Sequence, residues 1–283
     1  MERKENIIAI PSKDKFRDES LELFSDSSFP VNLAGRQLTA NLSLPEVGSF
    51  TVALLRPKNI IKLVAQGKIP LGIIGLDTLE EFDATRDRTR AFAGISPVQT
   101  LLKLGIGRCR FVLATSEESD FLSEEELKEK VRTGEMKWPF NRGIFEQFAG
   151  KTIATSNPGI VSRYFSDLEQ SIDAINWMEY DLNDDLDGSV EAAIGMGMAD
   201  AIADLVETGR SLKDNKLKEI TTLLESEGVL ITGESNRKGS NRFVDVLGRR
   251  IFETLLRRKN PDAIRMQRDY RRMVASNRFM SGR

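Results

Sequence analysis

The residues best suited to chemistry lie together between Gly195 and Leu212. There a short, mostly apolar run, Ala201, Ile202, Ala203, Leu205 and Val206, precedes Thr208-Gly209-Arg210-Ser211. The run has the composition of a strand covered on both faces, and the polar segment behind it reads as the start of a helix. The first N–H groups of a helix lack intrahelical partners and the helix dipole adds positive potential, so such a turn can cradle a phosphate. Gly209 would let the backbone approach the anion with no Cβ in the way, and the hydroxyls of Thr208 and Ser211 can donate to its oxygens. A bare T-G-x-S is more commonly an ordinary helix N-cap. The rest of the chain has to decide between the two.

Positioning such a turn takes a scaffold of strands that run directly into helices. Ile7–Ile10, Thr51–Leu55, Gly72–Ile74, Arg110–Ala114 and Thr152–Ala154 read as short strands. Glu19–Phe24, Lys58–Gln66, a segment opening near Asp77 and Val161–Leu168 read as helices between them. That alternation predicts an α/β architecture. A length of 283 residues allows one large domain or two. The apolar part of MERKENIIAIPSKDK is too short for a signal-peptide core and no stretch reaches transmembrane length, which predicts a cytoplasmic protein without a membrane partner.

Composition removes several chemistries. The chain has no histidine, so it has neither a Ser-His-Asp triad nor a histidine zinc site. Its one cysteine, Cys109, excludes an intrachain disulfide; flanked by Arg108 and Arg110 before an apolar run, it reads as a buried structural thiol.

Six segments in chain order resemble the ATP phosphoribosyltransferases, which carry out the first step of histidine biosynthesis. GSVEAAIGMGMADAIADLVETGRSL resembles the family signature, and IIAIPSKDKF its first strand and basic turn. LLRPKNIIKLV, LGIIGLDTLEE, LGIGRCRFVLAT and IATSNPGIVSRYF are similar to its other strand-and-turn segments, so the resemblance covers about residues 7–232. It implies two α/β lobes around a cleft, similar to periplasmic binding proteins (the type IV phosphoribosyltransferase fold), with the chain crossing between lobes twice. Carried over, lobe one is 1–107 with a return segment 214–233, and lobe two is 108–213.

The implied reaction is attack of N1 of the adenine of ATP on the anomeric carbon of phosphoribosyl pyrophosphate (PRPP), giving phosphoribosyl-ATP and pyrophosphate. The resemblance places Thr208, Gly209, Arg210 and Ser211 on the 5′-phosphate and counts Glu207 among the PRPP-binding residues. It places Asp204 at the ribose hydroxyls and Glu191 near the ribose or Mg²⁺, with a helix-capping role for Glu191 the even alternative. Lys13, Lys15 and Arg56, at strand ends and helix starts, would hold the pyrophosphate. Magnesium pyrophosphate leaves without protonation, so a chain lacking histidine loses nothing.

Three positions depart from the family pattern. Lys13-Asp14-Lys15 stands where Lys-Gly-Arg is usual, Pro70-Leu71-Gly72 where Asp-Leu-Gly is usual, and Asn157-Pro158 where Tyr-Pro is usual. These changes bear on the nucleotide side of the site. Residues 116–150 form an insertion with a capping box at Ser123 and Glu126, anchored through Trp138, Phe140, Phe145 and Phe148. The aspartates of DLNDDLD, residues 181–187, lack an EF-hand spacing and read as a solvated loop rather than a cation site.

The tail, residues 234–283, is basic: from Arg237 onward 14 Lys/Arg face 4 Asp/Glu, against 27 and 39 in the remainder. It reads as two helices broken at Asn260-Pro261, with Phe243, Val244, Leu247, Ile251 and Leu255 on one face. That favours docking, on the acidic body or a partner, over nucleic-acid binding. The family's long members continue into a strand-and-helix regulatory domain; this tail shows no strands, so the chain resembles the short members. The resemblance then implies a homo-oligomer and a separate regulatory subunit similar to histidyl-tRNA synthetase. Two other classes remain open at this level. One is a non-catalytic PRPP-binding or regulatory paralogue, and the other a small-ligand binding protein of the same fold.

Overall fold

The computed structural model describes residues 6–86, 97–171, 181–183, 190–234 and 241–268. The chain divides into two compact units, one of Met1–Leu79, Ala91–Gly107 and Glu227–Arg283, the other of Glu80–Arg90 and Arg108–Ser226.

The first unit opens with β1 (Ile7–Pro11), α1 (Asp14–Asp26), β2 (Thr39–Leu44), β3 (Gly48–Leu55), α2 (Pro57–Ala65) and β4 (Leu71–Gly75). Then come α3 (Leu76–Arg86), which runs on into the second unit from Glu80, and β5 (Val98–Lys103). Ile8, Ala9, Ile10, Leu71, Ile73 and Ile74 have no exposed surface, as befits central parallel strands with both faces covered. Glycine allows the covering to be close: a Cβ on Gly72 would lie 2.4 Å from the Ile60 side chain of α2. Helix α2 starts sharply because Arg56 is extended and Pro57 occupies the first helical position, where no amide donor is missed.

The second unit holds β6 (Cys109–Ser116), α4 (Glu124–Thr133), α5 (Phe140–Gln147), β7 (Thr152–Thr155), α6 (Pro158–Ser171) and β8 (Asp181–Asn183). It continues with α7 (Ala192–Gly195), β9 (Ala201–Val206), α8 (Arg210–Asp214) and β10 (Leu217–Ser226). The chain then returns to the first unit as β11 (Gly228–Gly233) and α9 (Arg242–Arg257), followed by a helix over 261–268. The sheets run β2-β3-β1-β4-β11-β5 and β10-β6-β9-β7-β8. Each has the same plan. The first parallel strand lies between the second and third (β3-β1-β4, β8-β7-β9), and two antiparallel strands follow beside the third.

The boundaries differ from the expected ones in three places, the first being the passage of α3 into the second unit from Glu80. β10 pairs with β6 from Leu217 to Ser226, so the return to the first unit begins at Glu227 and not at 214. The tail is not separate: Phe243, Val244, Leu247, Ile251 and Leu255 of α9 are buried in the core of the first unit, with Phe243 against Phe50 at 5.5 Å between ring centroids. Its arginines land on acids of the body, Arg250 on Glu46 (2.5 Å) and Arg258 on Asp26 (2.6 Å) and Glu22 (3.3 Å). The Arg250 guanidinium holds the Glu46 carboxyl below the usual carboxylate range. Asn260 caps the last helix, accepting from the Ala263 N–H at 2.9 Å.

The insertion is part of the second core. Ser123 and Glu126 form the reciprocal capping box, and Phe148 is buried between Phe121 and Phe165. Of the four expected anchors Trp138 stays 44% exposed, with Arg142 over its ring. Cys109 is half-buried at the start of β6. Of DLNDDLD, Asp181–Asn183 form β8 rather than loop, and 184–187 lie outside the described residues.

Two glycines distinguish close packing from mere flexibility. A Cβ on Gly233 would sit 2.6 Å from the backbone oxygen of Val64, which cannot rotate away, whereas Gly248 within α9 has open space around it. Gly233→Ala is expected to cost about 1–3 kcal/mol, and Gly248→Ala to add about 0.5–1 kcal/mol through helix propensity. Denaturant midpoints of the two variants check the opposite signs.

Candidate functional site

The turn singled out by sequence lies where β9 outruns its neighbour. β9 pairs with β7 only as far as Ala203, opposite Thr155, and continues alone beside β6 to Val206, opposite Arg110. Ala201, Ile202 and Ala203 are therefore fully buried, Asp204 is half-buried and Leu205 is 40% exposed. Cover on both faces ends with β7. Asp204 accepts the Leu205 N–H through its own carboxylate at 2.8 Å and shares a sheet face with Ile202 and Val206.

Glu207 and Thr208 follow, exposed, and Gly209 turns the chain at φ +75° into α8. That left-handed conformation is open to glycine at no steric cost. No side chain caps α8; the cap is the Gly209 backbone itself. The T-G-R-S segment thus caps a helix through Gly209. Thr208 Oγ1 lies 3.4 Å from the Arg210 N–H, a long contact, and Ser211 Oγ donates instead to Glu191 Oε1 at 2.8 Å. Arg210 is exposed, with its guanidinium 3.5 Å from Asp214 one turn on.

Glu191 is the residue immediately before α7, with helical φ and ψ and no capping hydrogen bond from its side chain. Its carboxylate reaches 20 residues along the chain to Ser211. The structure thus brings Glu191 to the 207–211 turn, with Asp204 just before that turn on β9, and the Glu191 side chain makes no capping hydrogen bond.

Lys13, Lys15 and Arg56 belong to the first unit. β1 and β3 are parallel with Pro11 opposite Leu55, so Lys13 and Arg56 both sit just past the carboxyl ends of neighbouring strands. In open α/β sheets that is the edge where ligands bind. Lys13 is the N-cap residue of α1 and Arg56 that of α2; both side chains are exposed. Lys15 is exposed beside Glu19, 3.4 Å away. Between the lysines Asp14 has φ +60°, one of four non-glycine residues with positive φ among those described.

The other two departures have structural roles. Pro70 is buried at the entry to β4, where its carbonyl accepts the Thr232 hydroxyl at 2.7 Å. Asn157 is buried, and its N–H donates to Thr155 Oγ1 at 3.1 Å. Just beyond, Glu81 of α3 accepts from the Gly159 and Ile160 N–H groups, at 3.1 and 2.9 Å, so a carboxylate of the chain itself fills the positive end of α6. Sequence reasoning missed Glu81, and no local signal marks it, since its partners lie 78 and 79 residues away.

The fold and this site define an α/β protein of the two-lobed, periplasmic-binding-protein type that carries a left-handed glycine turn at the end of a parallel strand. The family model for ATP phosphoribosyltransferase matches residues 56–253, and the chain belongs to that family, a family of transferases. The ATP phosphoribosyltransferase of Methanopyrus kandleri is 31% identical over 233 residues, covering 82% of this chain and 66% of that protein. That of Methanococcoides burtonii is 31% identical over 238 residues, covering 83% and 68%. The chain thus spans about two thirds of the length of these relatives. Among solved structures, an ATP phosphoribosyl transferase (HisG:HisZ) complex from Thermotoga maritima superposes with a TM-score of 0.60 at 19% identity, covering 90% of this chain and all of that one. The periplasmic sulfonate-binding protein SsuA of Methylobacillus flagellatus shares the fold with a TM-score of 0.51 at 15% identity, covering 93% of this chain and 72% of that one.

The Ser211–Glu191 contact is the joint that holds the turn. Ser211→Ala and Glu191→Ala, each alone and then combined, are expected to show a coupling of about 0.5–1.5 kcal/mol in a double-mutant cycle of unfolding free energies. Strict additivity would mean that hydroxyl and carboxylate do not interact in solution.

Proposed function

We propose that the chain transfers the phosphoribosyl group of PRPP to N1 of ATP, forming phosphoribosyl-ATP and pyrophosphate at the entry to histidine biosynthesis. The observation that carries this is the left-handed Gly209 at the end of β9, flanked by the Thr208 and Ser211 hydroxyls, within the stretch that the family model matches. In this reading the turn takes the 5′-phosphate, with Arg210 supplying charge and Glu207 at its mouth. Asp204 accepts from the ribose hydroxyls, and Glu191 orients Ser211. Lys13, Lys15 and Arg56 take the pyrophosphate.

The bond from the anomeric carbon to pyrophosphate breaks as the bond to adenine N1 forms. N1 attacks through a lone pair and pyrophosphate departs without a proton, so positioning and charge do the work. Mg²⁺ fits as a companion of the pyrophosphate. Among the described residues no three acidic, histidine or cysteine side chains converge to hold a metal, while Glu191 and Asp204 offer the oxygen donors that a hard cation prefers. When bound, the ion supplies charge neutralisation at the leaving group.

Supporting a cytoplasmic location are the biosynthetic relatives and the lack, among the described residues, of any helix long and apolar enough to cross a membrane. A separate second subunit is supported by the Thermotoga maritima complex of two differently named components; a homo-oligomer, and a likeness of that subunit to histidyl-tRNA synthetase, rest on the family resemblance.

Incubation with ATP, PRPP, Mg²⁺ and pyrophosphatase, alone and with candidate regulatory subunits, is expected to yield phosphoribosyl-ATP. PRPP binding without turnover in every combination would favour the non-catalytic paralogue. Gly209→Val is expected to abolish PRPP binding in calorimetry while the chain stays folded. Valine strains at φ +75°, whereas a Cβ there meets no protein atom within 4 Å. Wild-type affinity in that variant would overturn the assignment of the turn.

A further inference from the structure

We propose that Asp14 makes the basic turn after β1 select pyrophosphate as its divalent-cation complex and discriminate against the bare anion. This deepens the reading above and rests on that turn being the pyrophosphate site.

The turn gathers three cations at the carboxyl edge of parallel strands: Lys13 and Lys15 after β1 and Arg56 after β3. Asp14, exposed, stands between the two lysines in sequence. Of the other acids at this edge, Asp77 after β4 is buried and accepts the Thr78 hydroxyl at 3.2 Å, and Glu19 is drawn to Lys15 at 3.4 Å. Among the described residues Asp14 has no ion pair of this kind.

Its backbone explains why an acid can stand here. At φ +60° the position suits glycine best, and among residues with a Cβ only asparagine and aspartate adopt that region readily. Asparagine would satisfy the backbone equally without adding a charge. Aspartate adds one, and its sign opposes a free polyanion. A like charge a few ångströms away in a solvated turn weakens binding about five- to tenfold. A divalent cation on the pyrophosphate reverses that sign, because the carboxylate then faces a hard cation that takes oxygen ligands directly or through water.

The test is calorimetric titration of the full chain with inorganic pyrophosphate, with Mg²⁺ and with the metal chelated. Asp14→Asn keeps the backbone preference and removes only the charge. It is expected to bind metal-free pyrophosphate about five- to tenfold more tightly than wild type and to gain nothing in Mg²⁺, so that the preference for the metal complex shrinks. An unchanged preference in Asp14→Asn would overturn the proposal, with the carboxylate directed away from the anion. Lys13→Ala and Arg56→Ala separate the two levels. If they weaken pyrophosphate binding in Mg²⁺ while Asp14→Asn changes nothing, the pyrophosphate site stands and the role of Asp14 falls. If they leave binding unchanged, both fall.

Discussion

The first unit depends on one late pairing. β11 enters its sheet between β4 and β5 after more than a hundred residues spent in the other unit, and every residue of it is buried. Without β11 the sheet would end at β4 and leave β5 with no neighbour. The junction around it is tightly determined. The Gly228 N–H donates to the Ile106 carbonyl at 2.7 Å, Glu227 accepts the Gly105 N–H at 2.8 Å, and the Phe16 ring lies so close that a Cβ on Gly107 or Gly228 would collide with it. Contacts of this sequence separation bring order late and at a large loop-closure cost, so they require a strand as apolar as G-V-L-I-T-G to hold.

The same pairing accounts for the tail. Having been carried back to the first unit by β11, the chain lays the apolar face of α9 over Phe50, Leu44 and Phe29, and its arginines onto Glu46, Asp26 and Glu22. Part of the tail's positive charge, Arg250 and Arg258, is thus met within the chain. Most of the stabilisation comes from the buried Phe, Val, Leu and Ile side chains, since half-exposed ion pairs contribute little each. The ion pairs instead fix the angle and register at which α9 lies.

The candidate site is built from backbone as much as from side chains. A parallel strand that outlasts its neighbour leads through a left-handed glycine into a short helix, and Glu191 holds the Ser211 hydroxyl across the turn. In the first unit the analogous strand end carries lysine and arginine side chains, with Asp14 in a backbone conformation that glycine prefers. In the proposed reading the Gly209 turn takes a phosphoester and the basic turn a leaving polyanion.

Much of this was legible in sequence. Apolar runs ending at Lys13, Arg56, Asp77 and Glu207 gave β1, β3, β4 and β9, because buried parallel strands need continuous hydrophobicity, and Ser123 with Glu126 announced the start of α4 locally. The α/β class, the Gly209 turn and the family follow from such short-range patterns. β2 escaped notice because T-A-N-L-S-L is half polar at a sheet edge, and β10 because its partner β6 lies about a hundred residues earlier. Only the tertiary structure decided that the return begins at Glu227, that α9 completes the first unit, that Glu191 meets Ser211 and that Glu81 fills the end of α6. Each of these joins groups distant in the chain, and propensity and periodicity act over a few residues. Their outcome is set by which apolar faces remain uncovered and which charges remain unmet once the strands have paired.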